Sequence, residues 1–287
     1  MKLQTQFIQL VSLLAITACQ SNSNLSSNEP AQPAPFEYPE SARWDDARQR
    51  YYVSSIGGDP MAPDGIGWIS VLDATGQSIQ ARWVEGLDAP KGMVLVGNKL
   101  YVTDVTNLVE IDVERGSIER RIPVDGAVFL NDAAFAHDAV WLTDTFAGAV
   151  IRVPLDGAPE VFVRDERLFG ANGLVVEDER IVLVTIGDLE DVTVLGGVFT
   201  IDLTSKAIAG LGSGSGKFDG IEPRSDGYLL TDFRGQLLRS DRDGELQLLV
   251  NLADEGLSSA ADLGVTPSGG VLVPDLFGSK VWLGQVD

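Results

Sequence analysis

One motif recurs six times along the chain, and a repeat of this length admits few folds. The segments PESARWDDARQRYYVSS, PKGMVLVGNKLYVTD, LNDAAFAHDAVWLTD, ANGLVVEDERIVLVT, FDGIEPRSDGYLLTD and ADLGVTPSGGVLVPD can be laid over one another. Each opens near a polar residue, continues as a short apolar strand, turns, and ends in a strongly apolar strand that often closes on Asp. The aligned polar positions are Glu40, Lys91, Asn131, Asn172, Asp219 and Asp262, 40 to 51 residues apart. Periods in the forties match a four-stranded propeller blade. Between these segments lie second hairpins, such as NLVEIDVERGSIERRIPV and QLLRSDRDGELQLLV, that turn at Arg-Gly or Asp-Gly. The expected fold is therefore all-β, a six-bladed β-propeller of four-stranded antiparallel blades spanning residues 36–287. After the sixth repeat only KVWLGQVD remains of the second hairpin, so the outermost strand is missing. The residues just before Glu40 are expected to supply it, because an open ring would expose a strand edge.

Strands within a blade alternate in direction, so loops alternate between two faces. The aligned polar positions begin the innermost strands and should ring the central channel on one face. Glu40, Asn131, Asn172 and Asp219 then place two carboxylates and two amide carbonyls around one axis, a donor set suited to a hard cation such as calcium. The alternative is that these residues only cap strand starts through backbone N–H groups. Lys91 faces the same channel, where it would orient an anionic substrate or weaken cation binding. The loops at residues 55–67 and 186–197 should roof the site. Phe146, Phe233 with Arg234, and Phe277 either form a rim for a small organic ligand or pack between blades. Asp104, Asp144, Asp232 and Asp275 recur at the ends of second strands and read as turn caps. His137, the sole histidine, falls in a turn on the opposite face.

Composition narrows the rest. With 21 basic and 42 acidic residues the net charge is −21, which argues against nucleic acid and against electrostatic adhesion to anionic lipid. A single Cys and a single His exclude an internal disulfide and a Cys/His zinc cluster. Residues 7–18 form an apolar run too short to span a bilayer, ending in Ile16-Thr17-Ala18-Cys19. This resembles a bacterial lipobox, which implies a signal peptide over 1–18, lipidation at Cys19 and anchorage to a membrane through that lipid only. Gln20, where Asp would signal retention, points to the outer membrane with the protein facing the periplasm. Residues 19–35 are Ser-, Asn- and Pro-rich and are expected to form a flexible tether. A monomer is expected.

Four short motifs carry a family resemblance. Glu40 stands four residues before Trp44; Asn131-Asp132 falls in the third repeat, Asn172-Gly173-Leu174 in the fourth and Asp219-Gly220-Ile221 in the fifth. The ordered set resembles the senescence marker protein/gluconolactonase family, with strictosidine synthase-like, paraoxonase-like and diisopropyl-fluorophosphatase-like propellers as relatives. The resemblance covers about residues 36–287. It implies that Glu40, Asn172 and Asp219 bind one divalent cation, most simply calcium. It further implies that Asn131 binds substrate or completes the shell and that Asp219 is the general base of a lactonase. Ser41-Ala42 replaces the family's Gly-Pro after the Glu. Two functions follow as expectations: a calcium-dependent hydrolase of a lactone or similar ester, with Lys91 and Arg234 beside the substrate, or a non-catalytic binding propeller with a structural metal.

Overall fold

The computed structural model describes residues 34–286. It is a six-bladed β-propeller, with blades over residues 39–87, 90–123, 130–164, 171–210, 218–251 and 264–285. Within each blade the strands pair in chain order and antiparallel, so the first strand is innermost. Runs such as Ala139–Asp144 are buried along their whole length because each blade is covered on both faces by its neighbours. Six apolar clusters fill the gaps between successive blades. Tyr52, Ile69 and Leu87 of blade 1, for instance, pack on Met93, Val102 and Val109 of blade 2.

The sixth blade has three strands among the described residues, Gly264–Val265, Gly270–Asp275 and Lys280–Gln285. The expectation that the chain before Glu40 supplies its fourth strand is corrected. Residues 35–38 instead lie against blade 1: Trp68 Nε1 and Ser70 Oγ donate to the Pro35 carbonyl, and Ile56 N donates to that of Tyr38. Prolines at 35 and 39 lack the N–H groups that a ladder needs. The ring closes by other means. Phe36 wedges among Tyr51 and Leu72 of blade 1 and Leu272 of blade 6. Asp262 N donates to the Glu40 carbonyl, and Ser41 Oγ donates to Asp262 Oδ2 at 2.6 Å.

A local irregularity positions the site. In each of the five complete blades the inner ladder shifts register at the start of the innermost strand, between Pro39 and Ala42, Pro90 and Met93, Leu130 and Ala133, Ala171 and Leu174, and Phe218 and Ile221. Each bulge places an extra residue opposite the second strand. Hydroxyls on the second strand satisfy the freed N–H groups: Ser54 Oγ accepts from Ser41 N, Thr143 Oγ1 from Asp132 N and Thr231 Oγ1 from Gly220 N. The Asp that follows in sequence caps the incoming loop. Asp144 accepts from Val128 N and Phe129 N, Asp104 from Asp88 N and Ala89 N, and Asp275 from Ser258 N and Ser259 N. Removing the Asp144 carboxylate would strand two of these N–H groups, so Asp144→Ala should lower unfolding free energy by about 1–3 kcal/mol, measured by urea titration.

Candidate metal centre

The bulges generate two stacked rings of side chains at the channel axis. The upper ring is Glu40, Lys91, Asn131, Asn172, Asp219 and Ala261. The lower ring, one residue further along each strand, is Ser41, Gly92, Asp132, Gly173, Gly220 and Asp262. The expected sixth member of the upper ring, Asp262, is thus corrected. Its register partner pattern, Gly264 against Leu272, places Leu263 where Ala133 stands and Asp262 where Asp132 stands. Both aspartates also accept from the next backbone N–H, at 2.7 Å. Glycines take three of the six places in the lower ring, at 92, 173 and 220, because neighbouring inner strands approach closely there: a Cβ on Gly173 would lie 2.7 Å from Asp219 O and Ile221 N.

The upper ring forms the floor of a cavity of about 60 Å³. Glu40, Lys91, Asn131, Asn172 and Asp219 all line it, so five of the six sequence candidates for the ring meet at one place. All five are buried. Asn172 Nδ2 donates to Asp219 Oδ1, joining blades 4 and 5. Asn131 Nδ2 donates to Thr145 Oγ1 at 3.0 Å, and that hydroxyl donates to Ala171 O. Lys91 Nζ donates to Ala89 O at 2.9 Å and Pro60 O at 3.2 Å and lies 4.2 Å from the centre of the Phe129 ring. Above these groups the wall is apolar: Ile56 and Pro60, Ile186 and Leu189 from the two long loops, then Phe129, Phe233 and Leu276. The loop at 186–197 is pinned by Lys217, whose Nζ donates to the carbonyls of Asp188, Asp191 and Val194.

Other candidates lie apart. Arg234 is not aimed into the cavity: its guanidinium grips Asp232 with Nε on Oδ1 and Nη2 on Oδ2, at 2.8 and 2.5 Å. Phe277 packs edge-on behind Phe233 at 5.5 Å, and Phe146 stands behind Phe129 at 4.9 Å. Phe129 was not marked in the sequence. It precedes the aligned position in a loop with no repeat-wide pattern. His137 sits in the first turn of blade 3 at positive φ, with Nε2 3.1 Å from Glu177 O, on the face opposite the cavity. Cys19 and the signal and tether segments lie outside the described residues, apart from residues 34 and 35.

Charge is out of balance along this axis. Glu40, Asp132, Asp219 and Asp262 are buried together, with Lys91 and Arg43 as the nearby cations. Arg43 is already paired with Glu222 at 2.5 Å. Desolvation is the largest cause raising the pKa of all four carboxylates. Neighbouring carboxylates add to it for Glu40, Asp132 and Asp219, and Asp262 is pushed up to about 6. Burial lowers Lys91 to about 8, against the pull of Glu40. Glu40 Oε2 is buried with no hydrogen-bond partner. Among the described residues no group of three or more His, Cys, Asp or Glu side chains forms a metal site, so any ion here would draw on the Asn amides as well. An orphaned carboxylate oxygen, a second carboxylate and two amides, in a pocket with surplus negative charge, fit a hard divalent cation.

No protein-family model matches the chain, and no curated protein matches it. Solved structures share its architecture. A catalytically inactive virginiamycin B lyase from Staphylococcus aureus with quinupristin has a TM-score of 0.57 at 13% identity, over 87% of this chain and 95% of that one. A protein assigned as a gluconolactonase has a TM-score of 0.63 at 16% identity, over 87% and 89%. A gluconolactonase from Xanthomonas campestris, described as important in glucose secondary metabolic pathways, has 0.61 at 17% identity, over 88% and 86%. At these identities the likeness establishes the six-bladed propeller fold alone.

A carboxylate with a raised native pKa binds more protons folded than unfolded between the two values, so stability falls as pH rises through that interval. For Asp262 the interval runs from the ordinary value of about 4 up to about 6, and burial shifts Glu40, Asp132 and Asp219 in the same direction. The half-buried turn carboxylates Asp112 and Asp165, lowered to about 2, finish titrating below it. Thermal unfolding in chelator should therefore show a melting temperature that drops by several degrees between mildly acidic and neutral pH. Asp262→Asn should flatten that drop.

Proposed function

We propose that the chain is a divalent-metal-dependent hydrolase acting on a lactone or similar ester. The observation that carries this is the buried, partnerless Oε2 of Glu40 in a pocket it shares with Asp219, Asn131 and Asn172. Glu40, Asn172 and Asp219 would hold the ion, with Asn131 beside it. The ion, calcium being the simplest choice for such oxygen donors, would polarise the substrate carbonyl as a Lewis acid. Asp219 is the base. Its Oδ1 accepts from Asn172, which fixes the carboxylate and leaves Oδ2 to take a proton from water. Burial raises its basicity above that of an ordinary carboxylate. The hydroxyl that forms on the carbonyl carbon displaces the ring oxygen, which recovers the proton from Asp219. Two of the structural neighbours are described as gluconolactonases, which supports this class.

A second reading is a binding propeller whose ion is structural. It is favoured by Lys91, which gives one position of the ring to a cation. Lactone and ester hydrolysis measured with calcium, with chelator and with Asp219→Asn separates the two. The hydrolase requires loss of activity in chelator and a fall of at least about a hundredfold in kcat for Asp219→Asn. A melting temperature raised by calcium, with no turnover, would select the binding reading. Activity indifferent to chelator and to the substitution would refute the metal-dependent mechanism.

We propose also that the chain is exported and lipidated at Cys19, facing the periplasm from the outer membrane. Labelling of cells with an alkyne fatty acid should tag the wild-type protein and leave Cys19→Ser untagged.

A further inference from the structure

The walls of the cavity speak to the substrate. Above the polar ring the lining is Ile56, Ile186, Leu189, Phe129, Phe233 and Leu276. The polar groups that line the cavity are already engaged in part: Lys91 on two carbonyls and over the Phe129 ring, and Asn131 with Thr145 on one another. Arg234, which stands next to Phe233 in sequence, is held by Asp232. The wall therefore offers few donors or acceptors to a polyhydroxylated ring. Each substrate hydroxyl buried against Leu or Phe would lose its water without a replacement partner.

The outer surface on this side continues the pattern. The loop that contributes Leu189 also carries Val192, Val194 and Leu195, which are 72%, 48% and 39% exposed. Val128, next to Phe129, is also exposed, as is Phe169 in the corresponding loop of blade 4. Exposed apolar residues on one face, around an apolar cavity, suit a ligand with a hydrocarbon part.

Resting on the hydrolase reading above, we infer that the substrate is a lactone or ester with an alkyl or aryl substituent, and not a sugar lactone. The carbonyl end lies on the Glu40–Asp219 floor, and the hydrocarbon part lies between Phe129, Phe233 and Leu189. The step is the same hydrolysis: water adds to the carbonyl carbon, the ring C–O bond breaks, and a hydroxy acid leaves.

Three lactones with the same six-membered ring test this on the full chain with calcium: δ-valerolactone, δ-nonalactone and glucono-δ-lactone. The expected result is a kcat/KM that rises by up to about fourfold for each added methylene, and a preference for δ-nonalactone over glucono-δ-lactone of at least about a hundredfold. Phe233→Ala should flatten the dependence on chain length. Preference for glucono-δ-lactone, or no dependence on chain length, would overturn the inference and leave the hydrolase standing. If none of the three is hydrolysed, the hydrolase reading falls. Calorimetric titration of the same lactones into the wild-type protein then decides the ligand class: binding of δ-nonalactone alone upholds an apolar ligand, and any other pattern overturns it.

Discussion

The chemistry at the centre of this propeller depends on a bulge. A regular antiparallel strand sends successive side chains to opposite faces of its sheet, so each inner strand would offer the channel one residue near its start. The extra residue in the inner strand of every complete blade breaks that alternation. Two consecutive residues then turn towards the axis, and the channel acquires two rings in place of one. In blades 1, 3 and 5 the backbone N–H that the bulge frees is satisfied from the second strand by Ser54, Thr143 and Thr231. The Asp that follows Thr103, Thr143 and Thr231 caps the incoming loop. Thr-Asp at the end of a second strand is thus one device with two functions: Thr braces the bulge, and Asp holds the loop that leads into it.

That device explains what the sequence could and could not disclose. The repeat made the fold legible, since polar residues returned at blade-like intervals and two loops per blade were sorted to the correct face. It also placed Glu40, Asn131, Asn172 and Asp219 together, because equivalent positions in a ring must converge. It mislaid Asp262 by one residue. The bulge makes neighbouring positions both face inward, so a carboxylate one step along looks equivalent in a linear alignment, and only the pairing of Gly264 with Leu272 fixes the count. Arg234 stands outside the cavity lining for a different reason. Its neighbour Phe233 reaches the cavity, but a guanidinium two residues after a buried carboxylate closes onto it. Phe129 lay outside every repeated pattern, so nothing in its sequence context marked it.

The closing of the ring shows the same limit. A strand supplied by the chain's beginning would complete the sixth sheet, but prolines at 35 and 39 cannot donate to a ladder. The protein instead joins its first and last blades through Phe36, the Ser41–Asp262 bond and the backbone bond from Asp262 to Glu40. Two of these three contacts involve Glu40 of the candidate site and its neighbour Ser41. The seam of the ring and the floor of the cavity are therefore one structure, and a change in the charge state of Asp262 bears on both.

Lys91 is the residue that gives the upper ring its direction. It stands between Glu40 of blade 1 and Asn131 of blade 3, while Ala261 occupies the corresponding place in blade 6 and contributes no polar side chain. The oxygen donors are thus an arc from blades 3 to 5, faced by Glu40 alone. An ammonium next to a carboxylate would ordinarily pair with it and extinguish it as a ligand. Here the Lys91 nitrogen is drawn away by the carbonyls of Pro60 and Ala89 and by the face of Phe129. It offsets part of the buried negative charge through space, yet leaves Glu40 Oε2 without a hydrogen-bond partner. Because one of those carbonyls belongs to the loop over the cavity, the same contact ties the position of the roof to the charge of the floor.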